Sequence, residues 1–160
     1  MKFWITGVVL SLAVAHPAWA DAPIIDAAKA GDDANVAALL KAGTDVNTRA
    51  ADGATALEWA VYRNDVDLAK RLIRAGADVK LANNYGATPM SLAATTANVE
   101  MLKLLLDAGA DVESPNADGQ TALMIAHLPG ESKKRKRARE ESVRVLEAYE
   151  AKRGQQAAPQ

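Results

Sequence analysis

Cysteine is absent from the 160-residue chain, and histidine occurs only twice. The first absence excludes disulfides, thiolate nucleophiles and cysteine-based metal sites. His16 lies in the N-terminal apolar stretch, so His127 is the one imidazole left to the rest of the chain. A single histidine beside Ala126, at the end of a short apolar segment, reads as a packing residue rather than a general base. Aromatic residues make up only 4% of the chain against 49% apolar residues overall, with Ala and Leu supplying most of the balance. Such a composition suits short close-packed helices better than sheets built from β-branched and aromatic side chains. A formal charge of −1 gives no global attraction to nucleic acid. No Gly-rich phosphate loop is present.

Only the first twenty residues contain a long apolar run. Lys2 is followed by an uncharged stretch from Phe3 to Ala15, and Ala18-Trp19-Ala20 precedes Asp21. Positive start, apolar middle and small residues before the cut form the pattern of a secretory signal peptide of bacterial type, cleaved between Ala20 and Asp21. The run is shorter than the roughly 20 residues that span a bilayer. An uncleaved N-terminal anchor is the competing reading. The expected product begins at Asp21, has no transmembrane segment, and is periplasmic or secreted.

What remains is periodic. Gly53, Gly86 and Gly119 are spaced by 33 residues, as are Thr55, Thr88 and Thr121. The same interval separates Gly43-Thr44-Asp45-Val46, Gly76-Ala77-Asp78-Val79 and Gly109-Ala110-Asp111-Val112. Asp45, Asp78 and Asp111 recur with the repeat, which marks them as loop-forming residues and not as acids paired for catalysis. Within 50–82, Asp52-Gly53 makes a tight turn. Thr55 caps a first helix carrying Leu57, Ala60 and Val61 inward. A second helix follows, with Val66, Ala69, Leu72 and Ile73 on one face, and Gly76 ends it. The next unit places Pro89 in the first helical turn and buries Val99, Leu102, Leu105 and Leu106. A lone helix pair cannot cover such a face, so the units must stack.

The 33-residue period, the Thr88-Pro89-Met90 helix start and the closing Gly-Ala-Asp-Val resemble the ankyrin repeat. The resemblance implies an all-α solenoid of helix-turn-helix units with short β-hairpin loops, spanning 21–128. Its units are 21–49, 50–82, 83–115 and the start of a fourth at 116. A basic insertion and capping helix over 129–151, with Val143, Leu146 and Tyr149 on its face, and a disordered tail over 152–160 complete the expected order. One departure is systematic: the histidine closing the family's Thr-Pro-Leu-His start is replaced by Asp26, Glu58, Ser91 and Met124. The inter-repeat hydrogen bonds made by that histidine are therefore missing.

The resemblance also implies a protein partner, no turnover, no cofactor and no metal, with binding on the concave face lined by loop tips and first helices. Matched by position, that face holds Lys29, Arg49, Asp52, Glu58, Tyr62, Arg63, Asn83, Asn84, Tyr85, Thr95, Thr96, Asn116 and Gln120. Tyr62 and Tyr85 are the expected anchors, while Trp59 is expected in the core. An ordinary solvated surface is the competing reading for each. The run Lys133, Lys134, Arg135, Lys136, Arg137 with Arg139 is the other distinct feature. It suits weak contact with anionic lipid or polymer, or a solvated helix with Lys136–Glu140 and Arg137–Glu141 pairs. A monomeric, non-catalytic interaction module in the bacterial envelope is the expectation. An envelope factor using the basic segment and an enzyme with an unrecognised site are the alternatives.

Overall fold

The computed structural model describes residues 22–128 and 133–156. The signal-type segment 1–20 with its cleavage site at Ala20 and Asp21, the start of the insertion at 129–132 and the terminal residues 157–160 lie outside them. Eight helices occur in the described residues: α1 Pro23–Ala30, α2 Asp33–Lys41, α3 Ala56–Tyr62, α4 Val66–Arg74, α5 Pro89–Thr96, α6 Val99–Asp107, α7 Ala122–Ala126 and α8 Lys133–Gln156. They form a two-layer stack. The inner layer runs α1, α3, α5, α7, each helix packed on the next, and α2, α4 and α6 back it.

Caps fix where each helix begins. Thr55, Thr88 and Thr121 accept hydrogen bonds from the backbone N–H groups of Glu58, Ser91 and Met124. Asp32, Asp65 and Asn98 do the same for the outer helices. The first three inner helices end at residues in the left-handed region, again 33 apart: Gly31 at φ 74°, Asn64 at 63° and Ala97 at 53°. The apolar faces meet in one core containing Leu57, Val61, Leu68, Leu72, Met90, Met101, Leu102 and Leu105. Leu68 and Met101 are core positions missed by the expected stripes, whereas Val66, Val99 and Ile73 are only half-buried.

No strand is assigned among the described residues; each loop closes as a tight turn. Ala50, Asn83 and Asn116 donate their N–H groups to the carbonyls of Ala54, Ala87 and Gln120. Neighbouring turns are tied directly, the Asn84 N–H donating to Asp52 O at 2.9 Å. Two periodic glycines serve this contact as well as the turn. A Cβ on Gly86, at φ 69°, would lie 2.6 Å from the Ala117 backbone nitrogen. One on Gly53, at φ 78°, would lie 2.9 Å from that of Asn84.

The fourth unit breaks the pattern. In place of a nine-residue outer helix it has α8, 24 residues long, which packs on both α6 and α7. Its first turns contain the basic run, so residues 133–135 are helical and not part of a loop insertion. The helix also continues through Gln156, replacing the disorder expected from 152. Leu146 is fully buried beneath it, with Val143 and Tyr149 alongside. Arg139 donates to Ile125 O at 2.7 Å, and Arg153 pairs with Asp111 and Glu113 in the third loop. Arg139 thus fastens α8 to the stack and is not part of a free charged face.

Substitution at two glycines separates turn strain from stacking. Gly76→Ala, at φ 94° with open space around it, should cost about 1 kcal/mol. Gly86→Ala meets a backbone as well and should cost about 2–4 kcal/mol. Urea unfolding of both variants checks the order; equal losses would show that the inter-turn contact is not tight.

Candidate functional site

The inner helices and turns present one face, and the expected contact residues divide on it into three groups. Tyr62, at the end of α3, is 67% exposed, and Tyr85, at the tip of the second turn, is 71% exposed. Lys29, Asp52, Thr95 and Thr96 are also exposed, while Gln120 is half-buried. The Thr95 and Thr96 hydroxyls donate back to the carbonyls of Ser91 and Ala93 within α5.

A second group faces solvent but spends its hydrogen bonds on the neighbouring repeat. Arg49 donates to Ala82 O at 2.7 Å, Asn84 Nδ2 to Ala51 O at 3.0 Å, and Arg63 to Lys29 O at 3.2 Å. Asn83 and Asn116 hold their own turns through Oδ1, which accepts from two backbone N–H groups in each case. These residues shape the surface more than they offer free groups to a partner.

Glu58 requires a correction. Expected on the open face, its side chain is buried, the residue being 3% exposed. It stands where the family's histidine would be, and Oε2 accepts from Asn83 Nδ2 of the next unit at 3.0 Å. An acid has therefore taken over an inter-repeat bond. Oε1 has no partner. Burial pushes the carboxyl up to about 7, against the hydrogen bond from Asn83 and the nearby Arg49 charge, which favour the ionised form; Asp52 adds to the rise. At the other three equivalent positions in the stack the outcome differs, Asp26 on α1 being exposed. Ser91 closes a capping box with Thr88 inside its own helix, and Met124 is exposed.

Beside Glu58 is a cavity of about 170 Å³, lined by Asp52, Ala54, Glu58, Trp59, Tyr62, Asn83 and Leu92. It brings together four of the expected contact residues, Asp52, Glu58, Tyr62 and Asn83, and adds Trp59 and Leu92. Trp59 is only half-buried and belongs to this wall as much as to the core. The Trp59 and Tyr62 rings meet edge to face with centroids 5.7 Å apart. Lys29 Nζ lies 5.0 Å from the Trp59 ring centroid, a cation–π contact. Trp59 and Tyr62 stand three apart on one helix, so their shared face was available from spacing alone. Glu58 was not: surface and buried acids have the same letter.

His127 is exposed, not packed; it is the C-cap of α7, with Nδ1 2.9 Å from Leu123 O. At the basic end, Lys136 and Arg137 are exposed, and neither expected i,i+4 ion pair forms among the described residues. No described helix is long and apolar enough to cross a membrane.

The comparisons agree with this architecture. A family model described as Ankyrin repeats (3 copies) matches residues 24–116 and 57–146. No curated protein matches the chain.

The buried carboxyl sets a pH test. Its folded value of about 7 exceeds the ordinary 4.5, so the fold favours the neutral form. That contribution is complete below 4.5 and is lost as pH rises through 7. Relative to Glu58→Gln, the parent chain should lose on the order of 2 kcal/mol of unfolding free energy between pH 4.5 and pH 8. Parallel curves for the two proteins would place the carboxyl in water.

Proposed function

Because the chain belongs to the ankyrin-repeat family, whose repeats generally serve as protein–protein interaction modules, we propose that it holds a partner protein on the face made by its inner helices and turns. In this reading it is a non-catalytic module of the bacterial envelope. The observation that carries it is the exposure of Tyr62 and Tyr85 at 67% and 71% in a chain with few aromatic residues. Tyrosine offers large amphipathic area with little rotamer freedom to lose. Both residues stand on elements held by caps and inter-turn bonds, so the surface exists before the partner arrives and ordering costs are small.

The setting follows from the N-terminal signature: a positive start, an uncharged apolar run and Ala18-Trp19-Ala20 suit export to the periplasm or beyond. Absence of cysteine is compatible with that compartment, since stability then rests on packing alone.

The test is affinity capture from the host's envelope fraction, with the parent chain and a Tyr62→Ala/Tyr85→Ala double variant as baits. Both tyrosines are exposed, so the variant should fold with an unchanged helical spectrum. A specific protein held by the parent and weakened tenfold or more by the double change is the expected result. Equal retention by both baits counts against this face.

One observation favours a second reading. The basic run occupies the first turns of α8, where the helix dipole is already positive; the first turn holds no acidic residue, and Glu140 and Glu141 follow only after the run. Positive charge is therefore concentrated at one end of the stack, as contact with an anionic lipid or polymer requires. Vesicles containing anionic lipid should then bind the chain in low salt and release it by 0.3 M salt. A variant neutralised at Lys136 and Arg137 should bind more weakly; salt-insensitive binding removes this reading.

A further inference from the structure

The cavity beside Glu58 combines features that neither stability nor stacking explains. Its carboxyl is buried, one oxygen is held by Asn83, and Oε1 has no partner. A buried acceptor left unpaired costs about 1–3 kcal/mol. A polar group kept at that cost beside an opening is a candidate for pairing with something from outside. Asp52 adds a second carboxylate to the lining, and Trp59, Tyr62 and Leu92 supply apolar and aromatic surface.

We infer that this cavity receives the end of a lysine or arginine side chain from the partner protein. The inference rests on the proposed protein-binding function and names the chemistry that binding would read. An ammonium or guanidinium carries the donor that Oε1 lacks, and its methylene stem suits the walls of Trp59 and Leu92. Aromatic faces beside a carboxylate favour a cation over a neutral donor. Trp59 already holds one cation, the Lys29 ammonium, 5.0 Å from its ring centroid. The charged neighbours are Arg49, Asp52 and Lys29. Arg49 donates to Ala82 O and is not part of the lining, and Lys29 approaches the Trp59 ring without lining the cavity either. The two carboxylates therefore dominate inside. α5, on the far wall, carries no charged residue.

Occupation and ionisation are coupled. A cation docked on Oε1 stabilises the carboxylate, so binding should draw a proton from Glu58 and should strengthen as pH rises through about 7. The cavity would then reward the partner's charge with the ionisation that the empty fold resists.

Small probes test this apart from partner capture. Purified protein expressed from the full sequence is titrated at pH 8 with n-butylammonium, n-propylguanidinium and the neutral butyramide, and followed by NMR. The Trp59 indole N–H and the Asn83 side-chain amide should shift with both cations and at least fivefold less with butyramide. Glu58→Gln should abolish the response to the cations, whereas Asp107→Asn, an exposed acid on α6, should leave it intact. Equal shifts with butyramide, or none with any probe, would overturn the inference. A partner captured through Tyr62 and Tyr85, yet bound equally by Glu58→Gln, would overturn the cation pocket while leaving the interaction module standing.

Discussion

Close approach of the inner helices is the constraint from which the rest follows. Ala27, Ala60, Ala93 and Ala126 recur every 33 residues, all buried, one on each inner helix. A methyl group at each position lets α1, α3, α5 and α7 pack side by side along the stack. A larger side chain at any of them would push two repeats apart, a change that typically costs about 1–3 kcal/mol. The spacing so imposed brings successive turns within backbone hydrogen-bond distance, as Asn84 and Asp52 show. It also explains why the turn glycines at 53 and 86 have no room for a Cβ. The layer behind is looser, since the outer helices meet one another over less surface. A tight inner layer against a splayed outer one curves the stack toward its inner face.

With that spacing fixed, the residues at the family's histidine position in the second, third and fourth units each found a different solution. Glu58 reaches across to Asn83 of the next unit, while Ser91 turns back to cap its own helix. Met124, in the last unit, has no repeat beyond it to meet and remains exposed. Only the first of these leaves a polar atom buried and unpaired, and only there does a cavity open beside aromatic residues. The site thus arises from a local failure of the repeat's symmetry. Elsewhere further bonds join the units: Arg63 to Lys29 O, Asn47 to Gly76 O, and Asn98 to Asn64.

The fold was largely legible because period and geometry are linked. Glycine, threonine and the Gly-Ala-Asp-Val segments mark turns, caps and helix ends, and each falls where the structure needs it. The alanine ladder carries the same period and was open to the same reading. The candidate site was less legible. Position within a repeat says which face a residue is on, but not whether its side chain turns inward, as Glu58 does, or is occupied by a neighbour, as Arg49 and Asn84 are. The fourth unit failed for a different reason. α8 is mostly charged, with a few apolar contacts at Val143, Leu146 and Tyr149, so neither its start nor its end is signalled by an apolar stripe.

That same irregularity is what allows the stack to end. An outer helix of ordinary length would leave the apolar edge of α6 and α7 ready for another repeat. α8 instead lies across both, burying Leu146, and turns a highly charged surface outward. Its two arginine anchors use groups that the repeats leave available: Arg139 takes a carbonyl near the end of α7, and Arg153 takes the carboxylates of the third loop. Asp111 belongs to the periodic Gly-Ala-Asp-Val segment, so a residue whose repeat role is to shape a turn also helps to hold the cap. The cap therefore closes the stack at its far end and leaves the face around Glu58, Trp59 and Tyr62, two repeats away, uncovered.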